Sequence, residues 1–71
     1  MCLELPVELV ELRADGSARG RSAGRDVEVS LVTLPEPASP GDWVVAHAGF
    51  ALHRISAEEA HAALRIREET P

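Results

Sequence analysis

Apolar and polar positions alternate from the start of the chain. Leu3, Leu5, Val7 and Leu9 fall on one side of an extended backbone and Glu4 and Glu8 on the other, the period-two pattern of a half-buried strand. Pro6 has no N–H to give to a ladder, which predicts an edge position or a bulge there. Val10 and Leu12 then carry the apolar positions in the opposite phase, and a bulge near Leu9–Val10 accounts for the switch. Arg13-Ala14-Asp15-Gly16 has Asp-Gly at its end and predicts a turn. Ser17 to Ser22 is small and polar and reads as a weak, exposed strand, with Gly24 marking the next turn.

Arg25 to Leu34 reads as a second clear strand, with Val27, Val29 and Leu31 on one face and Asp26, Glu28 and Ser30 on the other. Val32 and Leu34 signal a bend or burial on both faces. The run Pro35 to Gly41 contains three prolines and a glycine and predicts a loop. Asp42 to His47 is apolar on both faces through Trp43, Val44 and Val45, as expected of a well-buried strand. Gly49 interrupts, and Phe50 to Ile55 predicts a short fifth strand. Ser56 and Glu59 have the spacing of a capping box, and Ala60, Ala63, Leu64 and Arg67 follow at helical spacing. A helix is therefore expected at about 57–68, packing lightly through a narrow stripe, with Ile55 stapled onto Ala60 and its end fraying from Arg67 to Pro71. Five short strands within 3–55 and one terminal helix predict a mainly β fold. The expected form is a small five-stranded OB-like barrel, which hides its sheet edges and needs little core volume.

Size and charge narrow the function. Seventy-one residues suffice for one small domain, spanning 1–71. The formal net charge of −5 and an aromatic content of 3% argue against nucleic acid, which requires a basic face and stacking rings. The same charge argues against an anionic membrane surface. One cysteine makes no internal disulfide, no apolar run approaches the ~20 residues of a bilayer span, and the N-terminus lacks the features of a secretory signal. A cytoplasmic protein is expected.

Cys2 and His47 are the residues best placed for chemistry. Removal of Met1, usual before so small a residue, would leave an α-amine beside the thiol. The neighbouring ammonium would favour the thiolate, the form that binds soft metals or attacks electrophiles. The plain alternative is an inert residue at a chain end. His47 shares the face of Trp43 and Val45; a core histidine and an iron ligand are both open for it. His53 and His61 read as surface residues, and the carboxylates of the last segment as a solvated helix face. No acid–base pair, Ser/His/Asp set or Gly-rich phosphate loop stands out.

Three stretches together resemble the HypC/HupF family: Met1-Cys2-Leu3-Glu4-Leu5-Pro6, the strand Arg25 to Val32, and the block Pro40-Gly41-Asp42-Trp43-Val44-Val45-Ala46-His47-Ala48-Gly49-Phe50-Ala51. Ile55 to Ala60 also fits. The resemblance implies an OB-like barrel with a C-terminal helix and a role as a chaperone in [NiFe]-hydrogenase maturation. Its cargo would be iron, held transiently with cyanide and carbonyl ligands. Its partners would be a HypD-like scaffold protein and the precursor of the hydrogenase large subunit. Cys2 matches the family's essential cysteine and His47 the histidine implicated with it in iron binding. Cys2, Leu3, Leu5 and Pro6 would form the partner-binding segment. Two positions depart from the pattern: Val7 stands where glycine is usual and Glu4 where a small residue is common, and both bear on partner choice. A carrier is not an enzyme. The competing expectations are an acidic adaptor barrel in which Cys2 is incidental, and a thiol enzyme with Cys2 as nucleophile and His47 as base, for which no orienting residue or oxyanion hole is identifiable.

Overall fold

Residues 5–69 are described by a computed structural model, with side chains through Arg65. Cys2, Leu3 and Glu4 lie outside the described residues, as do positions 70 and 71. The strands β1 (Leu5–Leu12), β2 (Ser17–Ser22), β3 (Arg25–Ser30), β4 (Trp43–His47) and β5 (Phe50–Ile55) are followed by helix α1 (Ala57–Glu69). They close into a barrel in the order β1-β2-β3-β5-β4. Every neighbouring pair is antiparallel except β3 and β5, which run parallel and meet at one bridge, Ser30 opposite Phe50.

The alternation in β1 acts as its sequence predicts. Val7 and Leu9 are fully buried, and Leu5 packs against them from the rim. The register slips between Leu9 and Glu11, at the expected phase change. The slip brings Leu12 against the core and leaves Val10 exposed. Pro6 stands opposite Val45 in the part of β1 that has no β2 partner, so its missing donor costs no β1–β2 bond.

A five-stranded barrel has a narrow lumen. Its largest fully buried side chains are Leu9, Val7 and Val44; Val29 is also buried, and the other interior positions are small: Ala18, Gly20, Ala46 and Ala51. This corrects the expectation for β2. Its small residues Ala18, Gly20 and Ser22 are not exposed but face inward, while Arg19 and Arg21 point out. At Gly20 the reason is steric: an added Cβ would fall on Val7 Cγ1 and within 2.7 Å of the Glu8 carbonyl oxygen.

The second correction is to the strand expected over 25–34. It ends at Ser30, and Leu31 to Leu34 forms a turn closed by a 3.0 Å bond from Leu34 N–H to the Leu31 carbonyl. Thr33 Oγ1 donates to the Ala51 carbonyl at 2.8 Å and ties this turn to β5. Leu31, Leu34 and Ala38 reach the core from outside any strand, so their apolar character reports burial rather than extended structure. Pro40-Gly41 makes the corner into β4: Asp42 N–H donates to the Ser39 carbonyl at 3.0 Å, with Gly41 at φ 95°.

Two hairpins share one turn chemistry. Ala23-Gly24 joins β2 to β3 with φ 52° and 81°, and Ala48-Gly49 joins β4 to β5 with φ 54° and 84°. Both central residues are left-handed, the type I′ geometry whose twist matches the flanking strands. Alanine tolerates that region at a cost of roughly 1–2 kcal/mol, so these turns are held by the ladders on either side.

The outer faces of β1, β2 and β3 carry a ladder of opposite charges. Arg13 forks onto Glu28 at 2.5 and 3.1 Å, and Arg19 reaches Glu11 at 3.5 Å and Asp26 at 3.7 Å. The capping box at the start of α1 is complete: Ser56 N–H donates to Glu59 Oε1 at 2.9 Å, and Glu59 N–H to Ser56 Oγ at 3.0 Å. Ala60 is fully buried beneath the helix, and Ala63 and Leu64 are half-buried. The helix continues through Glu69, past the point at which fraying is expected.

Three carboxyls are held below their ordinary range: Glu59 by the Ser56 N–H, Asp15 by the Ser17 hydroxyl and N–H, and Glu28 by the Arg13 guanidinium. A depressed folded-state pKa contributes stability above the unfolded value, and that stability is lost as pH falls through the folded value. Acidification below about pH 4 is therefore expected to open the cap and loosen the barrel, read as loss of helical dichroism. Glu59→Gln should reduce the acid-dependent part of the helix signal; an identical acid limb in that variant would refute the cap's share.

Candidate functional site

His47 is the last residue of β4 and is exposed, facing outward with Trp43 and Val45 while Val44 and Ala46 point into the lumen. It is therefore not a core histidine. The type I′ turn sets it opposite Phe50, which is 45% exposed. Among the described residues, no side chain hydrogen-bonds to the His47 imidazole and no carboxylate lies within ion-pair distance.

The β1–β4 ladder brings the N-terminus to this place. Leu5 stands opposite Ala46, so the chain enters the barrel beside His47. Cys2 itself lies outside the described residues. The topology thus sets the start of β1, three residues after Cys2 in the sequence, beside His47. Pro6 is buried and Leu5 half-buried, so of the expected partner-binding segment these two belong to the barrel wall. Among the described residues, no group of three or more His, Cys, Asp or Glu is placed to hold a metal ion.

A groove of about 200 Å³ opens next to this corner. It is lined by Leu5, Val27, Val29, Ala46, Ala48 and Gly49, with Glu28 at its margin. Two other depressions lie elsewhere. One, of about 310 Å³, is polar and holds Arg54 between Glu36 at 3.4 Å and Asp42 at 3.5 Å. The other, of about 340 Å³, separates α1 from the β2–β3 turn. Along it His61 meets Trp43 edge-to-face, with ring centroids 5.4 Å apart. His61 is exposed as expected, yet its ring helps seat the helix, a contact that chain spacing alone does not reveal. His53 is exposed on β5. Phe50 was also not singled out by the sequence pattern; its place opposite His47 depends on the two-residue turn.

A closed five-stranded barrel with an exposed histidine beside the start of β1 defines a small β-barrel protein. Comparison with known proteins gives its family. The chain belongs to the HupF/HypC family, whose sequence description matches residues 1–66. It is 36% identical over 69 residues to the hydrogenase maturation factor HypC of Helicobacter hepaticus, covering 97% of this chain and 80% of that protein. It is 39% identical over 69 residues to the HypC of Cupriavidus necator, covering 97% and 76%, and 39% identical to that of Rhizobium leguminosarum bv. viciae, covering 97% and 91%. These relatives are named as hydrogenase maturation factors. Among the described residues no helix is long and apolar enough to cross a membrane.

Proposed function

We propose that this protein is a hydrogenase maturation chaperone that carries an iron–cyanide–carbonyl unit with a HypD-like scaffold protein. It delivers that unit to the precursor of the [NiFe]-hydrogenase large subunit. The observation that carries this reading is the β1–β4 register. Leu5, three residues after Cys2 in the sequence, stands opposite Ala46, so β1 begins beside the exposed His47.

The two residues divide the work by their chemistry. The Cys2 thiolate is the anionic, soft donor and supplies most of the hold on iron. The neutral His47 imidazole is the second donor, fixed on a rigid strand end. Two protein donors leave most of the metal's coordination to its own diatomic ligands and to the partner. A shell so incomplete suits a cargo that must be handed on. The acidic, aromatic-poor surface suits a protein partner rather than nucleic acid, and the work proceeds in the cytoplasm.

The test is iron content and infrared spectra of the protein isolated in complex with its maturation partners. The expected result is iron together with cyanide and carbonyl stretching bands. Complexes that form without iron or bands would replace the carrier by an adaptor barrel that only bridges proteins.

A further inference from the structure

The barrel is closed at one point where it would normally be closed along a ladder. β3 and β5 share the single bridge Ser30–Phe50, so among the described residues the rest of that side of β3 has no strand beside it. The direction of its main-chain groups follows from the β2–β3 hairpin. Ser22 and Arg25 flank a two-residue turn and form a hydrogen-bonded pair, and such pairs alternate along the ladder. Arg25, Val27 and Val29 therefore turn their N–H and C=O groups to β2, and Asp26, Glu28 and Ser30 turn theirs away. The bond from Ser30 N–H to the Gly49 carbonyl, 2.8 Å, runs in that outward direction. Among the described residues, nothing pairs with the outward main-chain groups of Asp26 and Glu28.

This open edge borders the 200 Å³ groove that begins at Leu5. Val27 and Val29 face the groove and the lumen, while Asp26 and Glu28 stand on the outer face with side chains 67% and 63% exposed. A strand laid along β3 would set its residues directly across from these. Inward positions would meet Val27, Val29 and the small groove residues, and outward positions would meet the Glu28 and Asp26 carboxylates, which a basic residue would share with Arg13 and with Arg19 and Arg21.

We propose that the open edge of β3 accepts an extended protein segment in which apolar residues alternate with basic ones, added to the barrel as a further strand. Main-chain bonds to Asp26 and Glu28 give the binding, and the alternation gives its specificity. The net charge of −5 favours the same sign of partner. The natural occupant, a segment of a maturation partner, rests on the function proposed above; it would arrive beside Leu5, where the Cys2 segment leaves the barrel.

The test titrates the isotope-labelled full chain with a capped peptide alternating lysine and valine, matched to the 6-residue length of β3. The expected result is saturable shift changes at the Asp26 and Glu28 amides and about tenfold slower exchange at both. A peptide alternating glutamate and valine should bind about tenfold more weakly. N-methylation of the lysine–valine peptide should abolish binding without altering the protein. In Glu28→Pro, which removes an outward N–H, binding should fall about tenfold while Val27 and Val29 amides stay protected. The proposal is overturned by binding that survives N-methylation, by no saturable shift, or by shifts confined to Trp43 and His61. It is overturned equally if the Asp26 and Glu28 amides are already protected in the free chain, whether by its own N-terminus or by a second copy. Cys2→Ala should bind the peptide unchanged, so failure of iron carriage and failure of strand addition are read separately.

Discussion

Replacing Cys2 by alanine is expected to strip iron and its cyanide and carbonyl bands from the complexes of this protein, and to reduce hydrogenase activity in the host to background. The expectation follows from the donor count. His47 is the one histidine at the corner where β1 begins, and no acidic cluster there offers a substitute ligand among the described residues. Removing the thiolate removes the anionic donor, and a single neutral imidazole does not hold iron against its partner. The barrel should be untouched, because its interior is built from Val7, Leu9, Ala18, Val29, Val44, Ala46 and Ala51. Unchanged thermal unfolding would establish that. His47→Ala should give the smaller effect, a partial loss of iron retention with weakened infrared bands. Retention of the infrared bands by folded Cys2→Ala protein would end the carrier reading.

The largest expected effect on stability lies at Gly20. Gly20→Ala places a methyl against Val7 Cγ1 and 2.7 Å from the Glu8 carbonyl oxygen. Val7 is fully buried, and Glu8 O belongs to the backbone of the neighbouring strand. Relief therefore requires β1 and β2 to part where Glu8 and Leu9 stand opposite Arg21 and Gly20. Overpacking of this kind costs about 3 kcal/mol, or roughly 10–20 °C in a domain of this size. The comparison that isolates the cause is Gly24→Ala. Gly24 has φ 81° and open space around its Cα, so that change brings backbone strain of roughly 1–2 kcal/mol and no clash. Melting curves in which Gly24→Ala lowers stability as much as Gly20→Ala would refute the steric account.

Much of this architecture is legible in the sequence because local rules decide it. Ser56 and Glu59 announce the cap that forms, and the phase change after Leu9 announces the bulge. The errors fall where an apolar or polar residue type stands for something other than its usual role. Ser17 to Ser22 looks exposed because its inward residues are small, and they are small because a five-stranded lumen leaves no room. Leu31 and Leu34 look like strand because they are buried, but a turn buries them. The site is legible only in part. Cys2 and His47 are recognisable by type and by resemblance, whereas the start of β1 beside His47 depends on a ladder between the first and fourth strands. Phe50 beside His47, and the unpaired edge at Asp26 and Glu28, arise from a hairpin turn and from one missing stretch of pairing, which no local pattern encodes.

The two Ala-Gly turns bear on where the chain can change length. Each is the shortest connection its strands allow, and each fixes which residues stand opposite: Ser22 with Arg25, His47 with Phe50. One residue added at Ala48-Gly49 would slide β5 past β4 and reverse the sides that its residues face, drawing Ala51 out of the core. Pro35 to Pro37, by contrast, is exposed and belongs to no ladder. Changes of length should therefore be tolerated better in that proline loop, which lies with Glu36 at the Trp43 end of β4, than at the turn that follows His47.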